Sequence, residues 1–407
     1  MPDPDTESSS TSSDVFTETT HRSWGRKLTD SLKGVVVGAI LVVCSGVGMF
    51  WNEGRSAQTI NSLAEGRGAV VEVETARVLP ENEGKLVHLV GDLRTTAPLT
   101  DPEFAVSVQA SRLVRHVEMY QWHQEEKEET RKEVGGGETT VKTYTYVKKW
   151  ADQAIDSSRF RQPSGHTNPP MLFRGKSITA QDATLGAFRP GATPLSALAA
   201  REPFVADQAL AAQLQPKLGK PVQVVDGTIY VSANPTAPAV GDVRVSYTIA
   251  ANGTTSLLGR QAGTDILPYA TKAGDSLLFA RLGNVSADEM FKDAARLNTF
   301  ITWLLRFMAA VFMFAGFSLL LGPLVALGDV LPFLGNLLQA GTGLIALLAT
   351  AIVAPVVIAI AWFYYRPLVS VIALVVGLGL VVLIRMMAKR RAGAKGAALA
   401  PHPATAR

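Results

Sequence analysis

The chain has 407 residues, with 39 lysines and arginines against 35 aspartates and glutamates. A net charge of +4 is too small to point to nucleic acid, and the single cysteine, Cys44, excludes an intrachain disulfide. The placement of the charge says more than its sum. Arg22, Arg26, Lys27 and Lys33 precede the first apolar run, and Arg385, Lys389, Arg390, Arg391 and Lys395 follow the last. Basic residues beside membrane segments favour the cytoplasmic side.

In chain order, residues 1–33 read as a disordered, basic-ended cytoplasmic tail, opening on Ser, Thr, Asp and Glu with few apolar residues. Residues 34–51 form an apolar run close to the roughly 20 helical residues a bilayer core requires. The long polar leader and the lack of an A-x-A site favour an uncleaved anchor over a signal peptide. Cys44 reads as a small apolar residue inside that helix. Gly54, in Asn52-Glu53-Gly54-Arg55, reads as a helix stop.

Residues 52–298 read as one extracytoplasmic mixed α/β domain in which strands predominate. Ala69–Glu74, Lys85–Asp92, Gly227–Val231, Gly241–Ala250 and Ser276–Leu282 are predicted strands. Ser196–Leu214 is rich in alanine and leucine and reads as helix. Asn252-Gly253 is a hairpin-turn signal. Val117–Trp150 reads as a long hairpin turning at Gly135-Gly136-Gly137, since glycine tolerates positive φ. A three-residue loop there would set Trp122 opposite Trp150, Gln124 opposite Lys148 and Glu126 opposite Tyr146. The Glu/Lys-rich tip would then project into solvent. Ala287–Asn298 is polar, helical, and leads into the membrane.

Three further spans are predicted at residues 301–321, 343–365 and 367–384, followed by a basic cytoplasmic tail at 385–407. With the first they make four membrane helices, one N-terminal and three C-terminal, and place both termini on one side. The connector before Gly343 lacks Lys and Arg, against the positive-inside tendency, and its apolar part suits an interfacial helix. Trp51, Arg55, Arg306, Trp362, Tyr365 and Arg366 are the expected membrane-interface residues. An ionisable residue in a span is a functional candidate. For Arg306, snorkelling to the interface is the cheaper explanation.

Six histidines invite a search for metal ligands. His116 and His123 stand an odd number apart on a strand and so point to opposite faces. No compact ligand signature, P-loop, nucleotide fingerprint or G-x-S-x-G stands in the sequence, so neither metal nor cofactor nor catalytic residue is expected. The most distinctive polar spots are Gly84-x-x-x-His88 and Gly165-His166-Thr167-Asn168-Pro169. A loop whose side chains bond backbone accounts for the second more simply than a ligand site. The candidate partner or ligand surface is His88, Tyr120, Trp122, His166, Asn168 and Arg244.

Several of these residues lie in strings that carry a resemblance: Phe50-Trp51-Asn52-Glu53-Gly54-Arg55, Gly84-Lys85-Leu86-Val87-His88-Leu89, Val117-Glu118-Met119-Tyr120-Gln121-Trp122, Gly165-His166-Thr167-Asn168-Pro169, Gly241-Asp242-Val243-Arg244-Val245-Ser246 and Tyr364-Tyr365-Arg366-Pro367-Leu368. In order and spacing the chain resembles the LUMA family, that is transmembrane protein forty-three and its bacterial relatives, from about Trp51 to Ile384. The resemblance implies four spans with a large lumenal domain, and a role in organising membrane protein complexes. It carries no catalytic residue. Animal members reside in the endoplasmic reticulum and inner nuclear membrane. The alanine-rich composition suggests a bacterium, where the equivalent is the inner membrane with a periplasmic domain. The expected function is a non-enzymatic scaffold whose partners are the lipid bilayer, unidentified membrane proteins and a second copy of the chain, without nucleic acid. The alternative is an envelope enzyme or ligand-binding stress sensor with a site near His166 and Asn168. Few ionisable residues in the spans, and no repeat, argue against a transporter.

Overall fold

Between Ala110 and Trp122 the side chains of Leu113, Arg115, Val117, Met119 and Gln121 are buried, while the residues between them are half-buried or exposed. That period of two makes a strand with one face on a core. The computed structural model, which describes residues 6–12, 14–329, 332–372, 375, 385 and 386, builds its largest sheet around it. Two compact units result. One comprises Met1–Leu32, Gln58–Asn298 and Pro323–Gln339, the other Lys33–Ala57, Thr299–Gly322 and Ala340–Arg407.

The strands are β1 (Thr6–Ser12), β2 (Val15–Arg22), β3 (Val71–Val73), β4 (Leu86–Arg94), β5 (Leu99–Asp101), β6 (Val106–Val108), β7 (Ala110–Lys132), β8 (Glu138–Ala151), β9 (Lys176–Thr179), β10 (Thr184–Leu185), β11 (Glu202–Phe204), β12 (Val222–Val225), β13 (Thr228–Val231), β14 (Val243–Ala251), β15 (Gly253–Ala262), β16 (Asp265–Leu267), β17 (Tyr269–Ala270), β18 (Ser276–Leu277) and β19 (Phe279–Leu282). The helices are α1 (Trp24–Ala69), α2 (Ala192–Ser196), α3 (Gln208–Leu218), α4 (Ala287–Leu320), α5 (Gly322–Gly328) and α6 (Pro332–Tyr365).

A nine-stranded sheet runs β1-β2-β8-β7-β14-β13-β12, with β11 beside β14 and β9 beside β7; a six-stranded sheet runs β10-β4-β15-β16, with β19 beside β15 and β3 beside β4. The β3–β4 pair is parallel. One cluster of buried side chains joins the two sheets. Leu89 and Leu257 enter it from the smaller sheet, Val117, Met119, Val245 and Tyr247 from the larger, and Leu210 and Leu214 from α3. Inside this core Asp101 accepts from Arg115 Nη1 at 2.8 Å and from the Tyr247 hydroxyl at 2.7 Å, while Arg115 Nη1 also meets Glu103 at 2.6 Å. Burial, and then the hydrogen bond to Asp101, push the Tyr247 phenol above its ordinary value.

Several expectations are corrected here. Within the expected disordered tail, 1–33, the described residues hold structure: β1 and β2 pair with each other, and β2 pairs with β8 from Val15↔Thr145 to Arg22↔Glu138. Val15, Phe16 and three threonines in β2 suit a strand. The expected helix over Ser196–Leu214 is split into α2 and α3 around the short strand β11, because Pro203 denies a helix its backbone donor. Asn252-Gly253 makes no hairpin. The strands on either side of it belong to different sheets, and Gly253, at φ 138°, is where the chain passes between them.

Strands β7 and β8 pair two residues away from the expected register. The last pair is Lys132↔Glu138, so Trp122 faces Lys148, Gln124 faces Tyr146, Glu126 faces Tyr144 and Trp150 faces Tyr120. A shift of two keeps every side chain on its face. Its origin is the loop, which takes five residues and closes with Glu133 N donating to Gly137 O at 2.8 Å. Nor does the tip project freely. Gly136 lies against Trp24, whose indole donates to Ala326 O at 2.8 Å. Asp329 takes Lys132 at 2.8 Å and Lys27 at 2.5 Å, and Lys27 also meets Glu138 at 3.0 Å. Burial pushes the Asp329 carboxyl up, but the bonds to Lys132 and Lys27 outweigh it and hold it below the ordinary value.

In the second unit, α1 and α4 cross where both carry glycine. A Cβ at Gly38 would lie 2.6 Å from Gly316 O, and one at Gly316 would lie 2.9 Å from Gly38 O. Small residues let helix backbones approach in lipid, where burial of apolar surface gives little drive. Met49, Met313 and Ala354 close the contact among α1, α4 and α6. The predicted fourth span, 367–384, lies for the most part outside the described residues.

Replacing Gly316 by valine should therefore cost about 1–3 kcal/mol through overpacking against the α1 backbone. Gly341→Ala, whose Cβ meets open space, should be neutral or stabilising. Thermal unfolding of the full chain in detergent, followed by tryptophan fluorescence, compares the two. Equal melting temperatures would contradict the close crossing.

Candidate functional site

Because β7 alternates, Glu118, Tyr120 and Trp122 share its outer face. The register brings Arg244 of β14 opposite Glu118, Tyr230 of β13 opposite Arg244, and Trp150 of β8 opposite Tyr120. Arg244 clasps Glu118 with both Nε and Nη2, at 2.6 and 3.0 Å, and its guanidinium lies 4.8 Å over the Trp150 ring. Trp150 packs on Tyr120 at 5.3 Å and edge-on to Tyr230 at 6.1 Å. The bond to Glu118 raises the Arg244 pKa, so its charge is permanent at any relevant pH. The result is a contiguous, half-buried patch of aromatic rings and one fixed cation.

Trp122 begins a neighbouring cluster. Lys148 lies 4.4 Å over its ring, and His166 meets it edge-on at 4.8 Å while stacking on Tyr146 at 3.9 Å. His166 is 1% exposed. Its Nδ1 is 2.9 Å from Gln162 O and its Nε2 is 3.3 Å from Asp14. Asn168 accepts from Trp122 N at 2.7 Å and donates to Trp122 O at 3.0 Å, so its amide completes the hydrogen bonding of β7 as a strand would. The Gly165–Pro169 loop thus spends both distinctive side chains on internal bonds. His88 stands apart, buried on β4, between Glu72 at 2.6 Å and Val285 O at 3.0 Å. Of the six residues chosen from sequence for a partner surface, five gather around β7 and one does not.

The six membrane-interface residues all lie in the second unit. Glu53, 1% exposed on α1, accepts from Arg306 Nε at 2.6 Å and Nη2 at 2.8 Å, and from Trp362 Nε1 at 2.8 Å. This joins α1, α4 and α6 through one carboxylate. Arg306 also lies 4.7 Å over Trp303. Arg55 donates to Asn52 at 3.2 Å and Thr302 at 3.0 Å, and Arg366 reaches Ser56 at 3.4 Å. Tyr365 packs on Phe50 at 5.1 Å and leaves no space for a Cβ at Gly54. Glu53 was missed from sequence, and with it the reason for Arg306. The guanidinium is paired rather than snorkelling. A carboxylate two positions beyond an apolar run is the signal that could have found it.

The strand-rich unit and, among the described residues, three helices long and apolar enough to cross a membrane (Trp24–Ala69, Ala287–Leu320 and Asn336–Tyr365) define an integral membrane protein with a substantial non-membrane domain. A family model described as Transmembrane protein 43 matches residues 119–367, more than half of the chain. The chain is 34% identical to Transmembrane protein 43 of Homo sapiens over 385 residues, covering 91% of this chain and 92% of the relative. It is 34% identical to the Rattus norvegicus protein over 358 residues, 84% and 87% respectively, and 30% identical to the Drosophila melanogaster homolog over 358 residues, 84% and 91%. The chain belongs to the transmembrane protein 43 family. No solved structure matches it.

Glu53→Gln should destabilise the full chain by about 3–5 kcal/mol, because it leaves the Arg306 charge without its counterion away from water. Adding Arg306→Leu should recover a substantial part of that loss. A double-mutant cycle on thermal unfolding measures the coupling. Additive single effects would show that the bidentate pair contributes nothing specific.

Proposed function

We propose that this chain is a non-enzymatic membrane scaffold whose domain organises membrane protein complexes or envelope structure. The observation that carries the reading is the outer face of the larger sheet, where Tyr120, Trp150, Tyr230 and Arg244 are contiguous and half-buried. Trp, Tyr and Arg dominate the residues that carry binding energy at protein interfaces, since each offers a large, stiff surface with a polar end. The competing reading, an enzyme or stress sensor near His166 and Asn168, loses support because both side chains are already engaged. Partners are expected to be membrane proteins or a second copy of the chain. Arg244→Ala with Tyr120→Ala should lower the yield of co-purifying membrane proteins by roughly tenfold, about 1.4 kcal/mol. Affinity purification from native membranes with mass spectrometry reads this out. An unchanged set of partners from a folded variant would sink the proposal.

For the setting we propose four spans in a bacterial inner membrane, with both termini cytoplasmic and residues 52–298 periplasmic. The matching basic flanks support it. The pairing of β2 with β8 and the ion pairs Lys132–Asp329 and Lys27–Glu138 oppose it, because they join residues that this orientation separates. Single cysteines at Thr17, the exposed Ala237 and Lys395 in a Cys44→Ala chain, labelled with an impermeant maleimide from the periplasmic side, decide between them. Label at Ala237 alone fits the orientation. Label at Thr17 as well means that the sheet pairing holds and the N-terminal segment stays with the domain.

A further inference from the structure

An apolar groove of about 360 Å³ lies between α1 and α4 within the second unit. Leu41, Cys44, Gly48 and Trp51 form one wall, and Met308 and Phe312 belong to the other. Trp51, Phe312 and Met308 are 61%, 50% and 41% exposed, so the groove opens outward from the helices. Its volume is within the range of sites that hold a small ligand. The segments that form it read as membrane spans, so what surrounds its mouth is lipid.

One end of the groove is different in kind. Arg55 follows Trp51 by four residues and therefore stands one turn further along the same face of α1. Thr302, three residues before Leu305 of the groove lining, is on α4 at the same level, and Arg55 Nη2 donates to it at 3.0 Å. Arg306 and Arg366 are at this end too, through their bonds to Glu53 and Ser56. In residues 34–57, 299–322 and 340–372 the charged side chains are Glu53, Arg55, Arg306 and Arg366. Three guanidiniums therefore face one carboxylate, and that carboxylate is held by Arg306 through both oxygens. This level of the bundle carries an excess of positive charge directly above an apolar channel.

We propose that the α1–α4 groove binds one anionic phospholipid, with an acyl chain along Leu41, Cys44 and Gly48 and the headgroup phosphate at Arg55. Charge complementarity selects the occupant. A zwitterionic lipid offers the same chain but cancels the charge of its phosphate, and a second apolar helix offers no anion at this level. Guanidinium presents several donors in a plane and suits a phosphate oxygen pair better than ammonium does.

Native mass spectrometry of the purified full-length chain, exchanged against dioleoyl phosphatidylglycerol or dioleoyl phosphatidylcholine, tests this. The expected result is retention of phosphatidylglycerol over phosphatidylcholine by roughly tenfold. Arg55→Gln should remove the preference, bringing phosphatidylglycerol retention to the level of phosphatidylcholine. Gly48→Leu provides a second arm that does not disturb the polar level. A Cβ at Gly48 meets open space, so the variant fills the groove without a clash and should lower retention of both lipids. Inorganic phosphate alone should not raise the melting temperature. Equal retention of the two lipids, an undiminished preference in Arg55→Gln, unchanged retention in Gly48→Leu, or protection by inorganic phosphate equal to that by the lipid would each overturn the proposal.

Discussion

Glu53 is a carboxylate at 1% exposure just beyond the apolar run of α1. Removing such a group from water costs several kcal/mol unless a cation and further donors replace the water. Arg306 supplies the cation with two parallel bonds, and the Trp362 indole supplies the additional donor. The three groups come from three helices, so the pairing requirement places α1, α4 and α6 together at one level. The glycine crossing at Gly38 and Gly316 then sets how closely two of them approach. The same requirement recurs in the strand-rich unit. There Asp101 is shared by Arg115 and Tyr247, and Asp329 by Lys27 and Lys132. Each case ties segments distant in sequence through one buried carboxylate.

The second organising constraint is the alternation of β7. One face contributes Val117 and Met119 to the core, and the other displays Glu118, Tyr120 and Trp122. Stability and recognition are therefore written into neighbouring positions of one strand. A shift of the β7–β8 ladder by one residue would expose the core residues and bury the charged ones. The aromatic patch depends on that ladder and on the β7–β14 and β13–β14 pairings together, since Trp150, Glu118, Arg244 and Tyr230 come from four strands. Arg244 fixes the arrangement by clasping Glu118 while lying on Trp150.

The polar residues that stood out in the sequence divide by whether they are spent. His166 and Asn168 complete the bonding of a loop and of the β7 backbone, and His88 is enclosed between Glu72 and Val285. Tyr120 and Arg244 keep their surfaces outward. A distinctive residue in a glycine- and proline-rich bend is thus as well explained by the bend's own hydrogen-bond needs as by a ligand. Tyr120 and Arg244 also have internal partners in Trp150 and Glu118, but both stay half-buried on the outer face of the sheet.

Local physics was legible in the sequence. The apolar runs are long enough to be membrane helices, and the alternation of β7, β8 and β14 shows which side chains share a face, because both depend on periodicity along one segment. Nearly the whole chain could also be placed in its family from short strings such as Val117–Trp122. What tertiary structure decided is which segments meet. The hairpin register followed from a five-residue loop whose closure depends on Glu133 and Gly137, and no residue count through three glycines reveals that. Asn252-Gly253 carries the signature of a tight turn in either setting, and the sheets on its two sides determined that the chain crosses instead. The partner of Arg306 lies 253 residues away, and the strand that orders residues 15–22 is β8, more than a hundred residues on. Sequence period reports the conformation of a segment. The pairing of charges and strands is a free-energy difference between alternative contacts, and those contacts exist only once the chain has folded.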